Sequence, residues 1–176
     1  MNDQIDTLQG IAMFDGLSTE DMQRLTEVAQ IMEFEPGELI LHEGGNGQNL
    51  WVVLEGECEV YKHQQDGTTP GNSVLLAELG PHSHFGELSF FHAALHSADV
   101  KAKTHVRVFR LTRKAFDALA KAGSCAPYKL AYNAMATVSE RLRRMDKWVT
   151  ELLDHSQIDN HHMTEWEQFR QKLFPA

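Results

Sequence analysis

One stretch of the chain, FGELSFFHAALHSADV (residues 85–100), combines residue types that can hold a phosphate beside a sugar. Gly86 lets a ligand approach the backbone closely, and the Glu87 carboxylate can accept hydrogen bonds from sugar hydroxyls. Farther along, Ser97 and Ala98 offer backbone N–H groups to an anion. The stretch therefore predicts a phosphate cradle.

The predicted cradle lacks the cation that normally accompanies a phosphate. Directly before Ser97, where a bidentate arginine is expected, the chain has His96, and Asp99 follows three residues later. An ordinary histidine has a pKa of ~6.5 and is largely neutral in a cytoplasm. Two interpretations of His96 stay open: a histidinium that binds phosphate only when protonated, or the mark of a pocket that has lost its ligand. Asp99 would oppose an anion if its side chain pointed inward.

The same stretch resembles the phosphate-binding cassette of the cyclic nucleotide-binding domain family, which has FGE, a short apolar run and, a few residues on, R-(A/S)-A-(T/S)-V. Residues 85–89, Ser97, Ala98 and Val100 match this pattern. Two further stretches resemble the family: FEPGELILHEGGNGQNLWVVLEGECEVY resembles the glycine-punctuated first half of its barrel, and LGPHSHFGE resembles the approach to the cassette. The resemblance covers about residues 13–153 and implies a catabolite-activator-like regulatory domain.

The resemblance implies roles for the cassette residues. The candidate ligand-binding residues are Gly86, Glu87, Leu88, His96, Ser97 and Ala98. Glu87 matches the family's acceptor for the ribose 2′-hydroxyl, and Gly86 and Ala98 match backbone donors to the phosphate. Ser97 matches a phosphate donor of bacterial regulators, whereas His96 departs from the arginine. Cyclic AMP or cyclic GMP is the implied ligand, and we expect weak binding because the arginine is absent. For Glu87 the alternative is a buried acid that pairs with a cation inside the barrel or caps a backbone turn.

Turn residues in the middle of the chain predict an antiparallel β-fold. Glycine-containing turn signals recur at a spacing of roughly 8 to 12 residues, and apolar residues alternate with a period of two between residues 33 and 111. A double-stranded β-helix, or jelly-roll barrel, with an N-terminal helix and a long C-terminal helix fits best, so the fold class is mainly β with flanking helices. The predicted segments are an N-terminal helical segment (1–32), the β-barrel (33–111), C-terminal helices (112–153) and a linker with a short amphipathic tail helix (154–176).

Capping residues mark the predicted helices. Ser18 and Asp21 approximate a capping box for the first helix. The apolar face of that helix is predicted to hold Met22, Leu25, Val28 and Ala29. Thr112 is the predicted N-cap of the next helix, which ends at Gly123, and Pro127 lies near the first turn of the last one.

The last predicted helix carries an apolar stripe. Its members, spaced three or four residues apart, are Leu130, Ala134, Val138, Leu142, Met145, Val149 and Leu152. At ~40 Å this helix is too long for a small barrel to cover. We therefore predict a homodimer through residues 138–152, as the resemblance to bacterial regulators also implies, with packing on the barrel as the alternative. The exposed face includes Arg141, Arg143 and Arg144, one of which could replace the missing cassette cation.

Composition argues against several classes of protein. Lys and Arg total 16 against 25 Asp and Glu, and the resulting formal charge of −9 repels nucleic acid. The tail is also too short and insufficiently basic for the helix-turn-helix of the resembling regulators, so no DNA binding is expected. Cys58 and Cys125 lack metal-ligand spacing, and Cys58 is predicted to be a core residue. With no run near the ~20 apolar residues of a membrane span and no signal segment, we expect a cytoplasmic protein that does not enter a membrane.

These features predict a stand-alone sensor or regulatory module that binds a cyclic nucleotide weakly, or another small ligand, and signals through its C-terminal helices. The alternative is a protein–protein interaction module with a vestigial pocket. No grouping of nucleophile, base and orienting residue supports an enzyme, and neither a metal nor a cofactor is predicted. His82 and His84 are expected near the mouth of the cassette. The tail helix around Trp166 is expected to dock on the folded protein or on a partner.

Overall fold

The structure, a computed structural model, describes residues 7–63 and 73–155, with side chains as far as Glu151. A 3-10 helix (Ala12–Phe14) and helix α1 (Thr19–Val28) precede the strands. The strands are β1 (Gln30–Phe34), β2 (Leu39–Leu41), β3 (Asn49–Glu55), β4 (Cys58–His63), β5 (Ser73–Leu79), β6 (His84–Phe85), β7 (Asp99–Ala102) and β8 (Val106–Thr112). Helix α2 (Glu87–Phe91) lies between β6 and β7, and α3 (Arg113–Lys121) and α4 (Ala126–His155) follow β8.

The strands form two antiparallel four-stranded sheets in the orders β1-β8-β3-β6 and β2-β7-β4-β5. The prediction of a mainly β, jelly-roll fold with flanking helices is confirmed. The two sheets do not close into one continuous barrel. Cys58, predicted in the core, is fully buried, and burial raises the pKa of its thiol to about 11.

Strand β3 is buried on both faces, which the expected alternation of apolar and polar residues does not describe. In β3, Leu50 and Val52 pack in a cluster with the helices, whereas Trp51 and Val53 pack in a cluster with the second sheet. The first sheet is therefore the middle layer of the structure. Because neither face of β3 meets water, a continuous apolar run, LWVVL, replaces alternation in that strand.

The predicted helix caps of α1 and α3 are confirmed. The Ser18 hydroxyl accepts from the Asp21 N–H, and the Thr112 hydroxyl accepts from the Ala115 N–H. The predicted apolar face of α1 is only partly right, because the helix ends at Val28, which is 38% exposed, and Ala29 is its extended C-cap. The 3-10 helix and α2 were not predicted, since each is too short to show a helical period.

Helix α4 contributes to both units into which the chain divides, Met1–Ala134 and Met135–Ala176. In the first unit, Leu130 and Ala134 are buried in the apolar cluster that contains Leu50 and Val52 of β3, here called the helix-side core. The Asn133 side chain donates to the Met13 and Asp15 carbonyls at 3.0 Å. In the second unit, large apolar side chains of the helix are solvent-exposed: Met135, Leu142, Met145 and Trp148. No helix in the described part of the chain has the length and apolarity needed to cross a membrane. The predicted tail helix around Trp166 lies outside the described residues.

Candidate ligand-binding site

Gly86 joins β6 to α2 at a point where the backbone presses against β3. Its φ of +81° is in the left-handed region. A Cβ at this position would lie 2.5 Å from the Asn49 carbonyl oxygen and 3.1 Å from Cδ1 of Trp51. Both conditions require glycine, so the start of the cassette is fixed against the neighbouring strand.

Glu87 begins α2 and is buried beside His84. Each residue is 4% exposed, and Nδ1 of His84 lies 3.6 Å from Oε2 of Glu87, so the two form an ion pair when the imidazole is protonated. His84 was expected at the mouth of the cassette but lies inside, whereas His82 is exposed with a positive φ of 71°. The structure therefore places the Glu87 carboxylate next to a buried imidazole at the start of the cassette.

Ser89, whose role was not predicted, connects the two halves of the cassette. Its hydroxyl lies 3.1 Å from the Gly86 carbonyl oxygen and 3.0 Å from Nδ1 of His96. With the hydroxyl proton on the Gly86 carbonyl, Nδ1–H of His96 donates to Ser89; with that proton on Nδ1, the neutral ring carries its own N–H at Nε2. In both tautomers neutral His96 lacks the charge and the paired donors of arginine.

His96 is held by the loop that follows β2. Its N–H donates to the Gly45 carbonyl at 2.8 Å, and its carbonyl accepts from the Gly44 N–H at 2.9 Å. A Cβ on Gly45 would come within 3.0 Å of the His96 ring, so the imidazole fills the space beside that glycine. Partial burial lowers the pKa of His96 below its ordinary value, which disfavours the histidinium in this conformation.

The remaining candidate residues differ in exposure. Leu88 is 59% exposed, Ser97 is exposed, and Ala98 is buried. Among the residues that the structure describes, no carbonyl or side chain accepts a hydrogen bond from the backbone N–H of Ser97 or Ala98. The structure thus brings Gly86 and His96 together through Ser89, and the Ser97 and Ala98 N–H groups have no protein acceptor among the described residues.

Asp99 points toward the loop after β2 and the end of β4. Its carboxylate accepts from the Glu43 N–H at 2.6 Å, from His42 Nδ1 at 3.0 Å and from His63 Nε2 at 2.9 Å. Burial by itself would raise the pKa of Asp99, but these three hydrogen bonds together hold it below its ordinary value. The carboxylate is therefore engaged by protein donors. Within 7–63 and 73–155, no group of three or more His, Cys, Asp or Glu side chains could hold a metal ion.

The depressed pKa of Asp99 gives a pH dependence of stability. The carboxylate stabilises the fold fully above its unfolded-state pKa, and this stabilisation is lost as the pH falls through the lower folded-state pKa. We expect the difference in unfolding free energy between wild type and Asp99→Asn to shrink as the pH falls from about 5 to about 3. Both pH values lie below the ordinary histidine pKa of ~6.5. Urea titrations at each pH measure it, with Asp146→Asn on the exposed helix as control. A difference that stayed constant would contradict the assignment.

Lys62 and Glu43 also border the cassette and were not predicted. Nζ of Lys62 lies 2.5 Å from Oε1 of Glu43 and donates to the Ser97 carbonyl at 2.7 Å. Oε2 of Glu43 accepts from the His63 N–H at 2.9 Å. The alternating pattern of β4 indicates on which face Lys62 lies, but nothing in the sequence indicates its contact with Ser97, which is 35 residues away.

Comparison with known proteins agrees with this fold. The profile of the family described as "Cyclic nucleotide-binding domain" matches residues 31–122, just over half of the 176-residue chain. The chain belongs to the cyclic nucleotide-binding domain family. It is 27% identical, over 80% of its length, to the CRP-like cAMP-activated global transcriptional regulator of Mycobacterium tuberculosis and spans 59% of that protein. The chain thus spans less than two thirds of this curated relative.

Two solved structures are informative. A cyclic nucleotide-binding domain from Methylobacillus flagellatus aligns with this chain with a TM-score of 0.75 at 20% identity. The alignment covers 90% of this chain and 88% of that domain, and at this identity it supports the fold alone. The regulatory subunit of a cAMP-independent protein kinase A from Trypanosoma brucei has a TM-score of 0.63 at 28% identity, covering 98% of this chain and 51% of that one. That protein is a triple mutant, with one substitution to arginine, bound to cAMP in the A site. The mycobacterial relative is a transcriptional regulator, and the trypanosomal one is a kinase regulatory subunit.

Proposed function

We propose that the protein is a sensor or regulatory module that binds cyclic AMP or cyclic GMP weakly through its cassette. The observation that carries this proposal is the Ser89 bridge, which holds Gly86 and His96 together while the Ser97 and Ala98 N–H groups stay open. A phosphate at those N–H groups would lie in the same cassette as the Glu87 carboxylate. Weak affinity follows from the absence of an arginine at position 96.

The known relatives support the ligand class. The mycobacterial relative is cAMP-activated, and the trypanosomal structure holds cAMP in a mutant that gains an arginine from a cAMP-independent parent. By analogy, a cassette without arginine has the architecture for a cyclic nucleotide but lacks one determinant of tight binding. We also propose a homodimer through the helix around residues 138–152, and a cytoplasmic location remains part of this proposal.

Calorimetry with cyclic AMP, cyclic GMP and 2′-deoxy cyclic AMP tests the proposed site. If Glu87 accepts from the ribose 2′-hydroxyl, wild type should prefer cyclic AMP to its 2′-deoxy analogue, and Glu87→Gln should lower affinity by about tenfold and reduce that preference. The matched control is Glu27→Gln on α1, where an exposed carboxylate is lost. Absence of binding by wild type would favour the vestigial-pocket alternative, in which the C-terminal helices bind a partner protein.

A further inference from the structure

Lys62 is a cation in direct contact with the part of the cassette that follows His96. Its ammonium donates to the Ser97 carbonyl at 2.7 Å, and its side chain is 43% exposed. The backbone brings the two residues together because β4 pairs with β7 in the register Tyr61↔Asp99, which places Lys62 beside the residues that precede Asp99. The cassette therefore has a positive charge, supplied by a neighbouring strand.

The strand geometry directs Lys62 toward the space between the two sheets. Val60, two residues earlier in β4, is packed against the apolar cluster between the sheets. Residues i and i+2 of a strand share a face, so the Lys62 stem leaves the same face as Val60. The ammonium carries three N–H donors, and its contacts with described residues, Glu43 and Ser97, use two of them. The Ser97 carbonyl and the Ala98 N–H belong to one trans peptide and point in opposite directions, so the ammonium has to swing away from this carbonyl to meet an anion at the Ala98 N–H.

Building on the proposed function, we infer that Lys62 takes the place of the cassette arginine as the cation that holds the phosphate of the ligand. Glu43 is the internal anion with which that phosphate competes, because its Oε1 lies 2.5 Å from Nζ of Lys62. An ammonium is a point charge without the planar fork of a guanidinium, and here it is already shared with a carboxylate. Both features make binding weaker than with an unopposed arginine.

Opposite effects of the two charged residues are the main test. Cyclic AMP and uncharged adenosine are titrated by calorimetry into wild type, Lys62→Gln and Glu43→Gln. Lys62→Gln should lower cyclic AMP affinity by about tenfold and change adenosine affinity by less than about twofold. Glu43→Gln, whose amide oxygen can still accept from the His63 N–H, should raise cyclic AMP affinity by about threefold or more. Lys114→Gln, an exposed lysine on α3, controls for the loss of one positive charge.

The outcomes distinguish this inference from the proposed function. If wild type binds no cyclic nucleotide, both fail. If wild type binds cyclic AMP and Lys62→Gln behaves as Lys114→Gln does, only the role of Lys62 fails. Lys62→Arg should retain cyclic AMP binding, which separates a role of charge from one of packing. If Lys62→Gln unfolds at too low a temperature to be titrated, Glu43→Gln decides alone. An unchanged or reduced cyclic AMP affinity of Glu43→Gln would contradict the proposed competition between Glu43 and the phosphate.

Discussion

Replacing His96 with arginine should raise the affinity for cyclic AMP by about tenfold or more. In neutral His96, Nδ1 is engaged by Ser89, so the ring offers an anion at most one uncharged donor, at Nε2. Arginine adds a permanent charge and a planar fork of donors at the same position. The gain has to exceed the loss of the Ser89 contact and of the ring packing beside Gly45.

Calorimetry of His96→Arg against wild type measures this gain, and adenosine serves as the uncharged reference ligand. His105→Arg, at the turn between β7 and β8, is the matched control because it makes the same substitution at an exposed site. Equal cyclic AMP affinities for wild type and His96→Arg would mean that the side chain at position 96 does not reach the phosphate.

Placing a charge at Leu142 should convert the proposed homodimer to a monomer. Leu142, Met145 and Trp148 are 58%, 62% and 59% exposed within the described chain, although each is large and apolar. At a dimer seam, Leu142→Glu would bury an unpaired carboxylate on each subunit, which costs several kcal/mol of association, about 3 or more.

Light scattering over a range of protein concentrations measures the oligomeric state of Leu142→Glu. Ala136→Glu adds the same charge to another exposed position of the same helix and should leave the dimer intact. A monomeric wild type would contradict the proposed dimer, whereas a dimer that persists in Leu142→Glu would place the interface elsewhere.

The sequence predicts what depends on local patterns. Ser18 and Thr112 are recognisable as caps because capping acts within one helical turn, and Gly86 is recognisable because its conformation and close contact require glycine. The contacts of Lys62 with Ser97 and of Ser89 with His96 depend on side-chain directions across separate elements. Neither contact produces a periodic pattern in the sequence. The presence of the Lys62 cation beside the cassette therefore could not be predicted from the cassette sequence.

The helix-side core extends beyond the residues that match the family profile. Val52 of the first sheet packs in one cluster with residues from outside the matched region. These are Leu8, Ile11 and Phe14, before residue 31, and Leu130, after residue 122. A fragment trimmed to residues 31–122 would expose one face of that sheet to water, at ~25 cal/mol for each Å² of apolar surface uncovered. The smallest autonomous folding unit therefore needs segments from both sides of the matched region.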